Sequence, residues 1–175
     1  MPKSKLALIT ALLIICLSCT NKTGQNSASQ APASQTAQLR HSVDVVKASV
    51  PETTIAANAD GDAIVQLNID KGYHVNANPP TFPYLKATEL EVSPTAGVSV
   101  SFIVYPDPLT KTFPFADKPL AVYEGVTNIK VRLKVDKSMK PGAHNLPAKL
   151  QVQACDDQVC YAPGTLSLTI PLIVK

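Results

Sequence analysis

The chain has 175 residues, with 16 Lys and Arg against 13 Asp and Glu, four cysteines and 15 prolines. That length suits one domain with a sizeable core, and the near balance of charge excludes a polybasic surface for nucleic acid or membrane. So many prolines argue against long helices.

Lys3 and Lys5 precede a run that is apolar from Leu6 to Leu17 apart from Thr10. This is a positive n-region followed by an apolar h-region too short to cross a bilayer comfortably, the pattern of an export signal. Cys16-Leu17-Ser18-Cys19 at its end resembles a bacterial lipobox, with Cys16 where that pattern usually has Leu. The resemblance implies a lipoprotein-type signal peptide over 1–18, cleavage after Ser18 and lipidation of Cys19. Thr20 resembles the class sorted to the outer membrane. An uncleaved anchor, or a secretory peptide cut slightly later, would export the chain equally well. The expected location is therefore periplasmic or otherwise extracytoplasmic, with a lipid anchor in the outer membrane. Removing Lys3 and Lys5 leaves the remaining basic residues almost matched to the 13 acidic ones.

Residues 19–41 are mainly Ser, Gln, Ala, Thr and Asn without apolar periodicity. Such a stretch cannot offset its ordering entropy, so a disordered tether is expected, with a typical end-to-end distance of roughly 25 Å. The folded domain is expected over 42–175.

From there the pattern has period two, the spacing of strands with one buried face. Ile64, Leu67 and Ile69 mark one strand; Val98, Val100, Phe102 and Val104 alternate in another. Ile129, Val131, Leu133 and Val135 alternate with Lys130, Arg132 and Lys134. Leu150, Val152 and Ala154 follow, and Leu166, Leu168, Ile170 and Leu172 close the chain. Asp60-Gly61 and Pro141-Gly142 read as turns between such runs. Short strands with frequent turns predict an all-β sandwich. Two segments interrupt the alternation, Gly72–Tyr84 and Tyr105–Phe115. Both are rich in proline and aromatics and read as stiff loops presenting apolar surface, or packing over the sandwich ends.

Cys155-Asp156-Asp157-Gln158-Val159-Cys160 follows the strand ending at Ala154 and precedes Tyr161-Ala162-Pro163-Gly164. In an exported protein two such cysteines read first as a structural disulfide. Closing a six-residue loop restrains the unfolded chain by only about 2 kcal/mol, against about 4.7 for a 100-residue loop. Structural and redox readings therefore stand about even on the residues alone. The pair lacks the further ligands of a zinc site, and copper with His74 or His144 is a minor option. No metal or other cofactor is expected.

The string from Gln151 to Pro163, with its Cys-Asp-Asp-x-x-Cys-Tyr-x-Pro core, resembles the cysteine motif of the N-terminal periplasmic domain of the thiol:disulfide interchange protein DsbD family. Lys71-Gly72-Tyr73-His74-Val75-Asn76 and Val122-Tyr123-Glu124-Gly125 resemble it in order and spacing, so the similarity spans about 45–174. It implies an immunoglobulin-like sandwich with a Cys155–Cys160 disulfide on a cysteine-bearing hairpin. It further implies protein-disulfide reductase chemistry, with Cys160 forming the mixed disulfide and Cys155 resolving it. Phe113 and Phe115 fall on the family's aromatic cap segment; Tyr73, His74 and Tyr161 are further candidates for cap or partner contact. Lys111 and Thr112 stand where the family has acidic residues, and His74 and Asn76 where it has aromatics. The implied partners are thioredoxin-like proteins. This chain shows neither a membrane conduit nor a thioredoxin-like domain, so a separate membrane-embedded thiol reductase is expected as donor. The rival reading is a non-enzymatic sandwich that binds a protein through its proline- and aromatic-rich loops, with a structural disulfide.

Overall fold

A computed structural model describes residues 41–175. The expected signal peptide over 1–18, Cys19 and the expected tether up to residue 40 lie outside the described residues. A short 3-10 turn, Ser42–Asp44, opens the fold, and every other regular element described is a strand. In chain order these are β1 Val46–Ser49, β2 Thr53–Ile55, β3 Asp60–Ile69, β4 His74–Asn76, β5 Glu89–Val92 and β6 Val98–Val104. They continue with β7 Leu109–Lys111, β8 Leu120–Tyr123, β9 Val126–Val135, β10 Gly142–Val152, β11 Ala154–Cys155 and β12 Gly164–Val174.

The strands form three four-stranded sheets, ordered β1-β3-β9-β6, β2-β12-β10-β5 and β11-β4-β8-β7. The first two face each other as an immunoglobulin-like β-sandwich. Val65 and Leu67 of β3, with Ile129, Val131 and Leu133 of β9, meet Leu146 and Leu150 of β10 and Ile170 and Leu172 of β12 in one core. Period-two alternation along β9, β10 and β12 produces this directly, because each strand has one face to bury. Each fully buried Leu or Ile contributes about 1.5–3 kcal/mol. The third sheet is small. Val75, Tyr123 and Ala154 on one of its faces join the sandwich core.

Four expectations need correction. Ile64 is not on the core face of β3; Ala63, Val65, Leu67 and Ile69 are buried, and Ile64 pairs with Lys130 on the opposite face. In β6 the alternation does not keep one face inward. The register against β9 shifts between Val100 and Phe102, so Val100 pairs with Leu133 while Phe102 pairs with Arg132. This bulge reverses the phase: Ile103 turns inward against Val131, and Phe102 is left 55% exposed. Asp60-Gly61 is not the turn before β3 but its first two residues. The chain reverses just earlier, at Asn58 with φ 60°. Gly61 is required by space, since a Cβ there would lie 2.6 Å from Ile55 Cγ1. Finally, the two aromatic segments are not loops throughout. β4 lies within the first and β7 within the second, and three residues are too few to display a period.

Candidate functional site

β10 ends at Val152, and after Gln153 the chain crosses from the second sheet to the third as β11. β11 pairs antiparallel with β4, Ala154 opposite Val75 and Cys155 opposite His74. Side chains directly opposite in such a ladder share a face. Val75 and Ala154 take the core face, so Cys155 and His74 occupy the other. Asn76 and its partner Val122 share that second face, as does Leu120 by alternation in β8. The segment after β7 folds over it: Phe113, only 4% exposed, clusters with Leu120 and Val122. Both faces of β11, β4 and β8 are thus buried, whereas β7 at the sheet edge is exposed, and the second face carries the chemistry.

Cys155 and Cys160 are joined by a disulfide, their Cα atoms 3.9 Å apart. Cys155 is fully buried, whereas Cys160 is partly exposed and its neighbour Val159 is 51% exposed. The loop between them is organised by Asp156. Its Oδ1 accepts hydrogen bonds from the Gln158 amide at 2.8 Å and the Val159 amide at 2.9 Å, and its own amide donates to Val159 O at 3.0 Å. The Tyr161 hydroxyl donates to its other oxygen. That hydroxyl, more than the two amides, holds the Asp156 carboxyl below its ordinary range, against a smaller opposing effect of burial.

Two further side chains anchor the hairpin. Ser42, completely buried, donates to Ala162 O at 2.6 Å and accepts from the Ala154 amide at 2.9 Å. Gln153 Oε1 accepts from Asn76 Nδ2 at 3.0 Å and from the Lys86 amide at 2.9 Å, while its Nε2 donates to Tyr161 O at 3.2 Å. The strand crossing is thereby stitched to the loop before β5 and to the residue after Cys160.

His74, Phe113 and Phe115 form a stack on this face. The His74 ring lies 4.1 Å from Phe113, interplanar angle 19°, and Phe113 lies 5.4 Å from Phe115. Phe115 is 39% exposed, so the stack runs from the interior to the surface. His74 is buried, and its Nε2 has no hydrogen-bond partner. Burial lowers its pKa below 6.5, as does Lys111, while Glu124, Asp157 and Asp156 oppose that shift. Lys111 and Glu124 form an ion pair beside it. His74, Tyr73, Lys111, Glu124 and Asp157 contribute to a cleft of about 620 Å³ next to the hairpin. Tyr73 and Tyr161 lie 6.2 Å apart, tilted.

The structure thus brings Phe113 and Phe115 together with His74, which stands opposite Cys155, and Tyr73 together with Tyr161, which follows Cys160. Sequence reasoning passed over Ser42 and Gln153, for which no local signal exists. For Asp156 a signal does exist, since an Asp opening a short polar loop is a recognisable turn signal. Among the described residues no cluster of three or more His, Cys, Asp and Glu is placed to hold a metal.

An immunoglobulin-like sandwich with a disulfide hairpin on a short end sheet defines a class of thiol-bearing β domains. Within it the assignment is specific: the chain belongs to the family described as "Thiol:disulfide interchange protein DsbD, N-terminal", which it matches over residues 42–171. Among solved structures it is similar to the N-terminal periplasmic domain of ScsB from Proteus mirabilis, at 18% identity and TM-score 0.49, covering 71% of this chain and 44% of that one. It is also similar to a chain of a type I cohesin–dockerin complex from Clostridium thermocellum, at 15% identity and TM-score 0.43, covering 75% of this chain and 99% of that one. No curated protein matches the chain.

Proposed function

We propose that this chain is an extracytoplasmic thiol–disulfide exchange domain of protein-disulfide reductase type. It relays electrons from a separate membrane thiol reductase to thioredoxin-like proteins through Cys155 and Cys160. The observation that carries the reading is the unequal exposure of the two sulfur-bearing residues: Cys160 is partly exposed and Cys155 is fully buried. A structural staple gains nothing from that asymmetry, whereas an exchange cycle needs one accessible sulfur and one sheltered resolving sulfur.

In the reduced domain the Cys160 thiolate attacks a sulfur of the partner's disulfide. A mixed disulfide forms and the partner's second sulfur leaves as a thiolate. Cys155 then attacks Cys160 Sγ and expels the partner, which has gained two electrons. The donor reverses the sequence by attacking Cys160 and expelling Cys155. The cap stack of Phe113 and Phe115 shelters the pair until a partner displaces it. Residues 1–18 as an export signal, lipidated Cys19 and the tether over 19–41 place the domain outside the cytoplasm and hold it to the outer membrane.

The test is trapping. A Cys155→Ser variant should capture thioredoxin-like proteins through Cys160, and Cys160→Ser should capture none. A pair that stays oxidised in redox buffers poised below about −300 mV would sink the proposal in favour of a structural disulfide.

A further inference from the structure

A buried polar atom without a partner requires a reason, and in this molecule one belongs to the residue directly opposite Cys155. Cys155 and His74 are directly opposite in the β11–β4 ladder, which places their Cβ atoms roughly 4.5–5.5 Å apart on one face. Both residues are buried there, and His74 Nε2 is unpartnered. The ring is held by its stack on Phe113.

We infer that His74 is the acid–base partner of Cys155, taking the Cys155 proton when the disulfide closes and returning it when the disulfide opens. The inference rests on the exchange reading above. On closing, the Cys155 thiol gives its proton to His74 Nε2, and the sulfur's electron pair forms the bond to Cys160 Sγ. The bond from Cys160 to the partner sulfur breaks; that sulfur leaves with the electron pair and takes the proton from the imidazolium. On opening, the donor thiol gives its proton to His74 Nε2 as its sulfur attacks Cys160, the Cys155–Cys160 bond breaks, and Cys155 leaves as a thiolate that takes that proton from the imidazolium.

The surroundings suit a base that is neutral at rest and charged only in passing. Burial and Lys111 hold the ring's pKa below 6.5, the direction a proton acceptor requires. Glu124, Asp156 and Asp157 act in the other direction on the imidazolium once it forms, and the Phe113 face adds a cation–π contact. A thiol this deeply buried ionises reluctantly by itself, so the resolving step is where a base has most to contribute.

The experiment uses the full chain carrying Cys16→Ser and Cys19→Ser, so that only Cys155 and Cys160 can react, reduced and mixed with Ellman's reagent at pH 5.5–8. Cys160 releases the first thionitrobenzoate and Cys155 releases the second by resolving the mixed disulfide. His74→Phe keeps an aromatic ring on Phe113 but has no nitrogen. It should leave the first release unchanged and slow the second by about 100-fold at pH 6.5, with the rate then rising tenfold per pH unit. Equal second-phase rates and pH profiles in the two proteins would overturn the inference while leaving the exchange reading intact. Failure of the wild type to give a second release would overturn both. Should His74→Phe not fold, the ring can be followed by NMR in Cys160→Ser. Its titration there should show a second step, from coupling to the Cys155 thiol, that disappears in the double Cys155→Ser, Cys160→Ser variant. Identical single-step titrations would overturn the inference.

Discussion

The sandwich and the small end sheet solve opposite problems with the same secondary structure. β3 and β9 pair from Asp60↔Lys134 to Asn68↔Val126, and β10 and β12 pair along their whole length. Each of those strands has one apolar face in a common core, and their polar side chains remain outside. In β11-β4-β8-β7 the strands are two to four residues long. Both faces of β11, β4 and β8 are covered there, and His74 and Asn76 are buried, each with a polar atom left unpaired. The long sheets supply stability by area. The short sheet holds a disulfide among polar groups that a stability-only design would leave out.

That division can be broken at several points. The largest effect is expected from Cys160→Ser, which should abolish exchange with a thioredoxin-like substrate while lowering unfolding free energy by no more than about 2 kcal/mol. Insulin-type reductase assays and urea melts of the same sample check both halves. Leu150→Ala should do the reverse, costing about 2–5 kcal/mol by leaving a core cavity, with exchange per folded molecule unchanged. Ser42→Ala should fall between the two regions. It leaves the buried Ala154 amide without its acceptor, at a cost of about 1–3 kcal/mol, and should loosen the hairpin enough to raise hydrogen exchange at Tyr161.

A smaller, pH-dependent effect concerns His74 and Asp156. The folded-state pKa of His74 is lowered, so between that value and 6.5 the unfolded chain binds more protons. Stability should therefore fall as pH drops through this window, and His74→Phe should remove that slope from a series of melts. Asp156 is also lowered, so the stability it contributes persists above 3.8 and is lost as pH falls through its folded value. Asp156→Asn should converge on wild type in strong acid. The smallest effect is expected at Arg132, whose exposed pairing with Asp62 at 3.0 Å can be cut by Arg132→Ala with no resolvable shift of the urea midpoint.

The two regions also differed in how far they could be read from residues alone. β9, β10 and β12 carry long unbroken alternations, and their buried faces are those the pattern indicates. β6 carries an equally clean alternation and misleads, because its bulge against β9 reverses the phase at Phe102. Nothing in Val-Ser-Val-Ser-Phe-Ile-Val announces where the partner strand slips. The short sheet was less legible still. β4 and β7 were hidden among prolines and aromatics, and the anchoring roles of Ser42 and Gln153 depend on atoms far away along the chain.

What the sequence determined by itself was local: the period of the long strands, the spacing of Cys155 and Cys160, and the motif that links them to a family. Such features are set within a few residues, so neighbours along the chain suffice to specify them. Only the tertiary structure decided which cysteine is buried, that Phe113 lies on His74, and that His74 stands opposite Cys155. Those outcomes depend on pairing between strands distant in sequence, where a shift of one residue exchanges the buried face for the exposed one.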